Sequence, residues 1–146
     1  MMAGMDRPVI LVTDLEGALA AAKAAGTTGI PIFLLGERDG SLVAGVGWYF
    51  GLLRAIIRRA PGGRVTFIVD CGNRPDHAQA AFRLGLDVVF RGPERIAIKL
   101  ASIAAKSQRV LLRRRPRALP VADSRDPAAI AEALLRHRAR SRRRAS

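Results

Sequence analysis

The chain has 146 residues, 49% of them hydrophobic, which is enough to bury the core of one ordinary domain. It lacks an apolar run of the roughly 20 residues that cross a membrane. Residues 1–8 do not resemble a signal peptide, and the single cysteine cannot form an internal disulfide, so a cytoplasmic location is expected. The net charge of +13 lies mostly after residue 108, where 12 Arg stand against 3 Asp or Glu.

Apolar, β-branched runs recur along the chain, and each of the first four precedes a helix-like segment. Such runs are typical of strands that are covered on both faces. The sequence therefore predicts an α/β protein with four or five parallel strands alternating with helices, as a half-barrel or a Rossmann-like open sheet. The predicted strands are Val9–Val12, Ile30–Leu35, Val65–Val69, Asp87–Phe90 and, at an edge, Arg109–Leu112.

Three helical patterns carry an apolar stripe with the spacing of an amphipathic helix. Gly26 is the predicted C-terminal stop of the first helix, whereas Pro75 and Pro93 are predicted in the first turns of the other two. The three stripes are Leu15, Ala18, Leu19 and Ala22; Ala78, Ala81 and Phe82; and Ile96, Leu100 and Ile103.

The apolar segment Leu42–Leu53 allows two interpretations. Because it is short and contains three glycines, it is predicted to be a covered helix that begins near Gly47 and ends before Pro61. Alternatively, it is a dimer interface or a membrane-surface contact, with Trp48 and Tyr49 as amphipathic anchors.

The basic C-terminal part is predicted to stand apart from the rest. We expect residues 1–116 to form the α/β domain, and residues 117–146 to form a basic linker, a short helix and a disordered tail. Asp126 and Pro127 suit the cap and first turn of that helix, which is predicted to end near Arg138. The arginines of residues 109–146 can attract nucleic acid through counterion release.

Polar or glycine residues directly follow the first four predicted strands. If these strands are parallel, their carboxyl ends share one rim, which is where α/β proteins bind ligands. Asp14 and Asp70 could hold Mg²⁺ there, and an arginine before a helix N-terminus suits an anion. The candidate ligand-binding residues are Asp14, Glu37, Asp70, Asn73, Arg91 and Gly92.

The charged candidates also have structural interpretations. Asp14 could instead cap the helix that follows it. Arg91 could pair with Asp70 or Glu94 rather than with a ligand.

Two further reactive side chains are given structural roles. Cys71 is predicted to be a small buried residue, and the adjacent Asp70 should raise the pKa of its thiol. His77 is predicted to lie exposed in the first turn of its helix, because no metal-ligand spacing accompanies it.

The ends of the first four predicted strands form a recognisable series of segments: Leu11–Asp14 (LVTD), Phe33–Glu37 (FLLGE), Phe67–Asp70 (FIVD) and Gly85–Glu94 (GLDVVFRGPE). Together they resemble the first half of thiamine phosphate synthase, a (β/α)8 barrel. The resemblance spans about residues 9–106 and implies a phosphate-binding fold, with Asp70 at the metal-binding aspartate of the family and Glu94 at its later acidic position. In that family the second half holds the substrate phosphate, but residues 107–146 are too few for four more βα units.

From these features we expect a small phosphorylated or carboxylated ligand at the rim, without an assigned catalytic residue. The alternative is a non-enzymatic interaction protein that binds nucleic acid or another partner through its basic tail. A homodimer is also expected, because a half-barrel leaves two open edges and an apolar face.

Overall fold

The computed structural model describes residues 6–145. Residues 1–5, on which the expectation about a signal peptide partly rests, and residue 146 lie outside the described part. The strands are β1 (Val9–Leu11), β2 (Ile32–Leu35), β3 (Val65–Asp70), β4 (Asp87–Val89) and β5 (Leu111–Leu112). The helices are α1 (Leu15–Thr28), α2 (Gly40–Val43), α3 (Val46–Arg59), α4 (Pro75–Arg83), α5 (Glu94–Lys106) and α6 (Pro127–Ala145).

The five strands form one parallel sheet in the order β1-β2-β3-β4-β5. The prediction of an α/β protein with parallel strands is therefore confirmed, and β5 does lie at an edge. Strand order follows chain order throughout, without the reversal that defines a Rossmann-like sheet. The sheet is open and has the consecutive winding of part of a β/α barrel.

The two faces of the sheet bury different side chains because neighbouring residues of a strand point to opposite sides. In β3, Phe67 and Val69 join the main core between the sheet and the helices. Ile68 points to the other face, where a smaller buried cluster is completed by Val9, Leu35 and Val89. The last residue of β3, Asp70, follows Ile68 on that second face.

Residues 113–125, here called the strap, cross the sheet from β5 to β1. Arg113 donates to two main-chain oxygens beyond the end of β4, at 3.0 and 2.7 Å. Arg115 donates to the oxygen of Gly36, just after β2, at 3.0 Å. The amide of Leu119 then donates to the Val9 oxygen of β1 at 2.7 Å. The edge of β1 is thus less open than expected, and the homodimer stays a prediction.

Two helix ends differ from the sequence-based expectation. Helix α1 passes Gly26 and ends at Thr28, with Gly29 in the left-handed conformation at φ 70°. A Cβ at Gly26 would lie 3.2 Å from the main chain of Gly62, so this glycine permits close packing rather than a stop. Helix α6 continues to Ala145, although disorder was predicted from Arg140, because its arginines and alanines favour helix.

The tail is not detached from the α/β fold. Ile130 and Leu134 of α6 are fully buried within the main core, and Ala133 is nearly so. That residues 1–116 form a domain by themselves stays a prediction.

The covered-helix interpretation of the apolar segment is confirmed for α3. This helix begins at Val46 and buries Tyr49, Leu52 and Ile56, while Trp48 remains 40% exposed. The short helix α2 before it was not predicted. No helix within residues 6–145 is long and apolar enough to cross a membrane.

Helix α5 buries smaller residues than predicted. Leu100 does face the core, but Ile103 is 38% exposed, and Ala97 and Ala104 take the inward positions. Small side chains at these positions bring the helix close to its neighbours.

The ring of Tyr49 should make Gly40 intolerant of a side chain. Tyr49 is 2% exposed, and a Cβ at Gly40 would overlap its hydroxyl group. We expect Gly40→Ala to lower the free energy of unfolding by about 1–3 kcal/mol through overpacking. Gly51→Ala is the matched control. Gly51 lies in the middle of α3 on its solvent-exposed side, and a Cβ there would have no atom within 4 Å other than those of its own helix. Urea unfolding should show Gly51→Ala more stable than wild type by up to about 1 kcal/mol, and equal stability of the two variants would contradict this packing.

Candidate functional site

The centre of the rim is the buried carboxylate of Asp70 at the end of β3. Its side chain has no solvent exposure. Oδ2 accepts hydrogen bonds from Nη1 of Arg91 at 2.5 Å and from Nη1 of Arg115 at 2.9 Å. Oδ1 accepts from the amide of Gly72 at 3.0 Å. A buried charge needs partners of this kind, and both arginines provide charge-assisted bonds.

A second carboxylate, that of Asp39, holds the other side of Arg91. Nη2 of Arg91 donates to Oδ1 of Asp39 at 2.7 Å, so one guanidinium bridges two carboxylates. A Cβ at residue 72 would lie 2.5 Å from the same Asp39 oxygen, and Gly72 has a φ of 52°. Glycine is therefore required at this position for both backbone conformation and space.

These contacts set the protonation state of Asp70. Burial raises the pKa of the carboxyl group, but the hydrogen bonds from Arg91, Arg115 and the Gly72 amide outweigh burial and leave the pKa below its ordinary value. Asp70 in turn raises the pKa of Arg91. The rim therefore holds an ionised carboxylate and two permanently charged guanidinium groups at neutral pH.

At the end of β1, Asp14 is the N-cap of α1. Its Oδ1 accepts from the Gly17 amide at 2.8 Å, and its Oδ2 accepts from Nη2 of Arg125 at 2.5 Å. The hydrogen bond from Gly17, with a smaller contribution from Arg125, lowers the pKa of Asp14. The capping interpretation is confirmed, while a ligand at Asp14 stays a prediction.

The remaining sequence-predicted residues lie further out. Glu37 and Asn73 are exposed, whereas Gly92 is buried. A Cβ at Gly92 would overlap the side-chain oxygen of Asn73. Glu94 is 76% exposed and lies 3.5 Å from Nη2 of Arg113.

Asp70 and Glu94 therefore have different arginine partners. Among residues 6–145, no group of three His, Cys, Asp or Glu side chains is placed to hold a metal ion. Mg²⁺ at Asp70 and Glu94 stays a prediction, and the two guanidinium groups on Asp70 disfavour it electrostatically.

A buried polar cluster lies beside the rim. Cys71 is fully buried, and burial is the main reason that the pKa of its thiol is raised to about 12. A hydrogen bond with Ser41 lowers this pKa, whereas the charge of Asp70 raises it further. The Ser41 hydroxyl is 2.9 Å from Nδ1 of His77. His77 is half-buried rather than exposed as predicted, because Ser41 of α2 packs against it. Ser41 itself is 2% exposed, so neither its hydroxyl group nor the thiol is an accessible nucleophile.

Sequence reasoning missed two residues at the centre of the rim, Asp39 and Arg115. Asp39 has a φ of 55°, and its position before Gly40 signals a turn but not an ion pair. Arg115 stands in a run of three arginines, and nothing local distinguishes it from Arg114. Its contact depends on the path of the strap across the sheet.

The ion pairs of Asp70 predict an acid-sensitive contribution to stability. The pKa of Asp70 is lower in the folded than in the unfolded chain, so its charge stabilises the fold above the unfolded value of about 3.9. This stabilisation is lost as the pH falls through the folded pKa. We expect Asp70→Asn to cost about 2–3 kcal/mol at pH 7 and progressively less below about pH 4.

Urea unfolding at a series of pH values measures this difference. Glu132→Gln is the control, because Glu132 forms an exposed i,i+4 pair with Arg136 that contributes about 0.3–0.5 kcal/mol. A cost of Asp70→Asn that stays constant from pH 7 to pH 2 would contradict the ion-pair account.

The environment of Cys71 predicts an unreactive thiol. Because the side chain is buried and its pKa is about 12, thiolate should be scarce at pH 8. We expect a disulfide reagent such as Ellman's reagent to modify the native protein only at the rate of unfolding and the denatured chain at once. Rapid modification of the native protein would show that the rim opens at Cys71.

Comparison with known proteins supports the fold alone. No protein-family model matches the chain, and a search of curated proteins finds no match. A solved structure of a proposed fructose-1,6-biphosphate aldolase from Coccidioides immitis matches 71% of the chain with a TM-score of 0.57 and 20% sequence identity. The match covers 44% of that structure, so the chain spans less than half of its length. The likeness is one of fold, a parallel sheet alternating with helices.

Proposed function

We propose that the chain binds a small phosphorylated or carboxylated molecule at the carboxyl rim, with Arg91 and Arg115 as the anion-binding side chains. The observation that carries this proposal is the convergence of both guanidinium groups on one buried oxygen of Asp70. The shared carboxylate fixes the two groups beside each other at the ends of parallel strands, which is the usual ligand position in such folds.

Both arginines keep donors for a ligand. A guanidinium group has five N–H groups. In the described contacts Arg91 uses one from each Nη atom, and Arg115 uses Nη1 alone. Each side chain is 22% exposed, so the remaining donors can reach a molecule at the rim. Because Asp70 and Asp39 already balance much of this charge, an anion gains chiefly from directional hydrogen bonds.

The helix that follows β4 adds a favourable field. Helix α5 begins at Glu94, directly after Gly92 and Pro93, and its N-terminus favours negative charge nearby. Arg113 donates to the Gly92 oxygen at 2.7 Å and so adds a third guanidinium to this side. These features support a phosphate or carboxylate in preference to a neutral ligand.

The finer resemblance to thiamine phosphate synthase is part of this proposal. In that family the second half of the barrel holds the phosphate. We infer that in the described part of this chain the strap arginines, Arg115 above all, make the anion contacts. The proposal concerns binding, and no reaction is assigned to the rim.

Thermal unfolding with inorganic phosphate, pyrophosphate and citrate, each against potassium chloride at equal ionic strength, tests the proposal. An anion at ten times its Kd should stabilise the fold by about 1.4 kcal/mol, which raises the Tm by about 4 °C for a chain of this size. We expect Arg115→Gln and Arg91→Gln to lose this shift relative to their own Tm without anion. Arg114→Gln, the exposed neighbour, is the matched control and should keep it.

The control variant also shows what would refute the proposal. A shift that is equal in Arg114→Gln and Arg115→Gln would show a general charge effect. No shift with any of the three anions in the wild-type protein would remove the rim as an anion site.

A further inference from the structure

The C-terminal half of α6 carries much of the positive charge of the chain on an ordered helix. Its first half anchors it through the buried side chains Ile130, Ala133 and Leu134. From residue 136 onward the helix contains six arginines, and Glu132, paired with Arg136 at 3.4 Å, is its only acidic residue. The arginines are thus presented by a helix that the core holds in place.

The spacing of these arginines forms two rows along the helix. Arg136, Arg140 and Arg144 follow one another at four-residue intervals, and Arg138 and Arg142 form a second row with the same spacing. Residues four apart lie on the same side of a helix and about 6 Å apart along its axis. Because residues two apart on a helix differ in direction by about 200°, the two rows lie on nearly opposite sides of α6. Arg136, Arg140 and Arg144 are all exposed, so the first row faces solvent along the outer part of the helix.

Each row borders a depression between α6 and the rest of the fold. Arg136 and Arg140 line a groove of about 280 Å³ together with Leu119 and Pro120 of the strap. Arg138 lines a cavity of about 310 Å³ with Arg7, and Asp6 is the acidic residue on its wall. Because the Leu119 amide donates to the Val9 oxygen at the start of β1, the groove beside Arg136 and Arg140 lies toward the amino ends of the strands, away from the rim.

The chemistry of this surface favours a polymer of phosphates. The row of Arg136, Arg140 and Arg144 matches a ligand with regularly repeated anionic charge, and each contact with a phosphate releases counterions. Residues 136–145 contain no large apolar side chain that could enter a lipid layer. Their one ring is the imidazole of His137, which lies 3.3 Å from the main-chain oxygen of Asp6 and is partly buried, so the row offers no platform for base stacking. The surface is therefore suited to the backbone of a nucleic-acid duplex rather than to a membrane or to unstacked bases.

We propose that the exposed row of Arg136, Arg140 and Arg144 on α6 binds the phosphate backbone of a nucleic-acid duplex without reading its sequence. This activity is separate from anion binding at the rim, since none of these residues contacts Asp70, Arg91 or Arg115 in the described structure. The two functions can therefore fail independently.

Fluorescence anisotropy of the full chain with a short labelled DNA duplex, measured over a series of potassium chloride concentrations, tests the proposal. The test variant is Arg136→Gln with Arg140→Gln, and the control is Arg54→Gln with Arg58→Gln. The control pair has the same spacing, exposure and charge change on α3. We expect the test variant to reduce the slope of log K against log salt by about 2 and the control to leave it unchanged. Two duplexes of different sequence should bind wild type equally.

Three outcomes would overturn the proposal. Equal loss of affinity in the test and control variants would show attraction by net charge alone. Absence of duplex binding at low salt, with circular dichroism confirming an intact fold, would remove the activity. Binding to phosphatidylserine vesicles but not to the duplex would identify the surface as a membrane contact.

Discussion

The buried carboxylate of Asp70 connects three parts of the chain that are distant in sequence. It ends β3, binds the arginine that follows β4, and binds the strap through Arg115. An unpaired carboxylate without solvent contact is strongly destabilising, whereas two guanidinium groups and an amide satisfy it. If the strap left the rim, the Asp70 carboxylate would lose Arg115, one of its two arginine partners. The position of the strap at the rim is therefore fixed by this buried charge.

The same constraint determines what kind of ligand the rim can accept. An anion that displaced Asp70 from its arginines would leave a buried charge without partners, so displacement is unfavourable. An anion that uses the outward N–H groups of Arg91 and Arg115 avoids that cost and finds both groups already oriented. Preorganisation of this kind lowers the entropy lost on binding. Gly72 contributes indirectly, because only glycine leaves room for Asp39 to hold the far side of Arg91.

Most of the strands of the sheet, and part of the candidate site, could be predicted from the sequence. Strands β1 to β4 follow from continuous apolar runs, and the pairing of Asp70 with Arg91 was one of the two interpretations of neighbouring strand ends. The stripe predicted from helical spacing is wrong at Ile103, because α5 packs closely through Ala97 and Ala104 instead. Arg115 could not be found, because its partner is determined by a chain crossing that depends on the whole sheet. The end of α6 was missed because charge density suggested disorder, although arginine and alanine both favour helix.

The strap also explains how this open sheet protects its edges. An open sheet exposes unpaired main-chain groups at both sides. Leu119 meets the β1 edge, and β5 is only two residues long and runs into arginines, so neither edge is a long, flat template. In doing so, the strap pairs its arginines with carboxylates at the rim, including Asp14, Asp70 and Glu94. The densest run of arginines in the chain is on the outer part of α6, at the opposite end of the sheet, which is why a polyanion should bind there and a small anion at the rim.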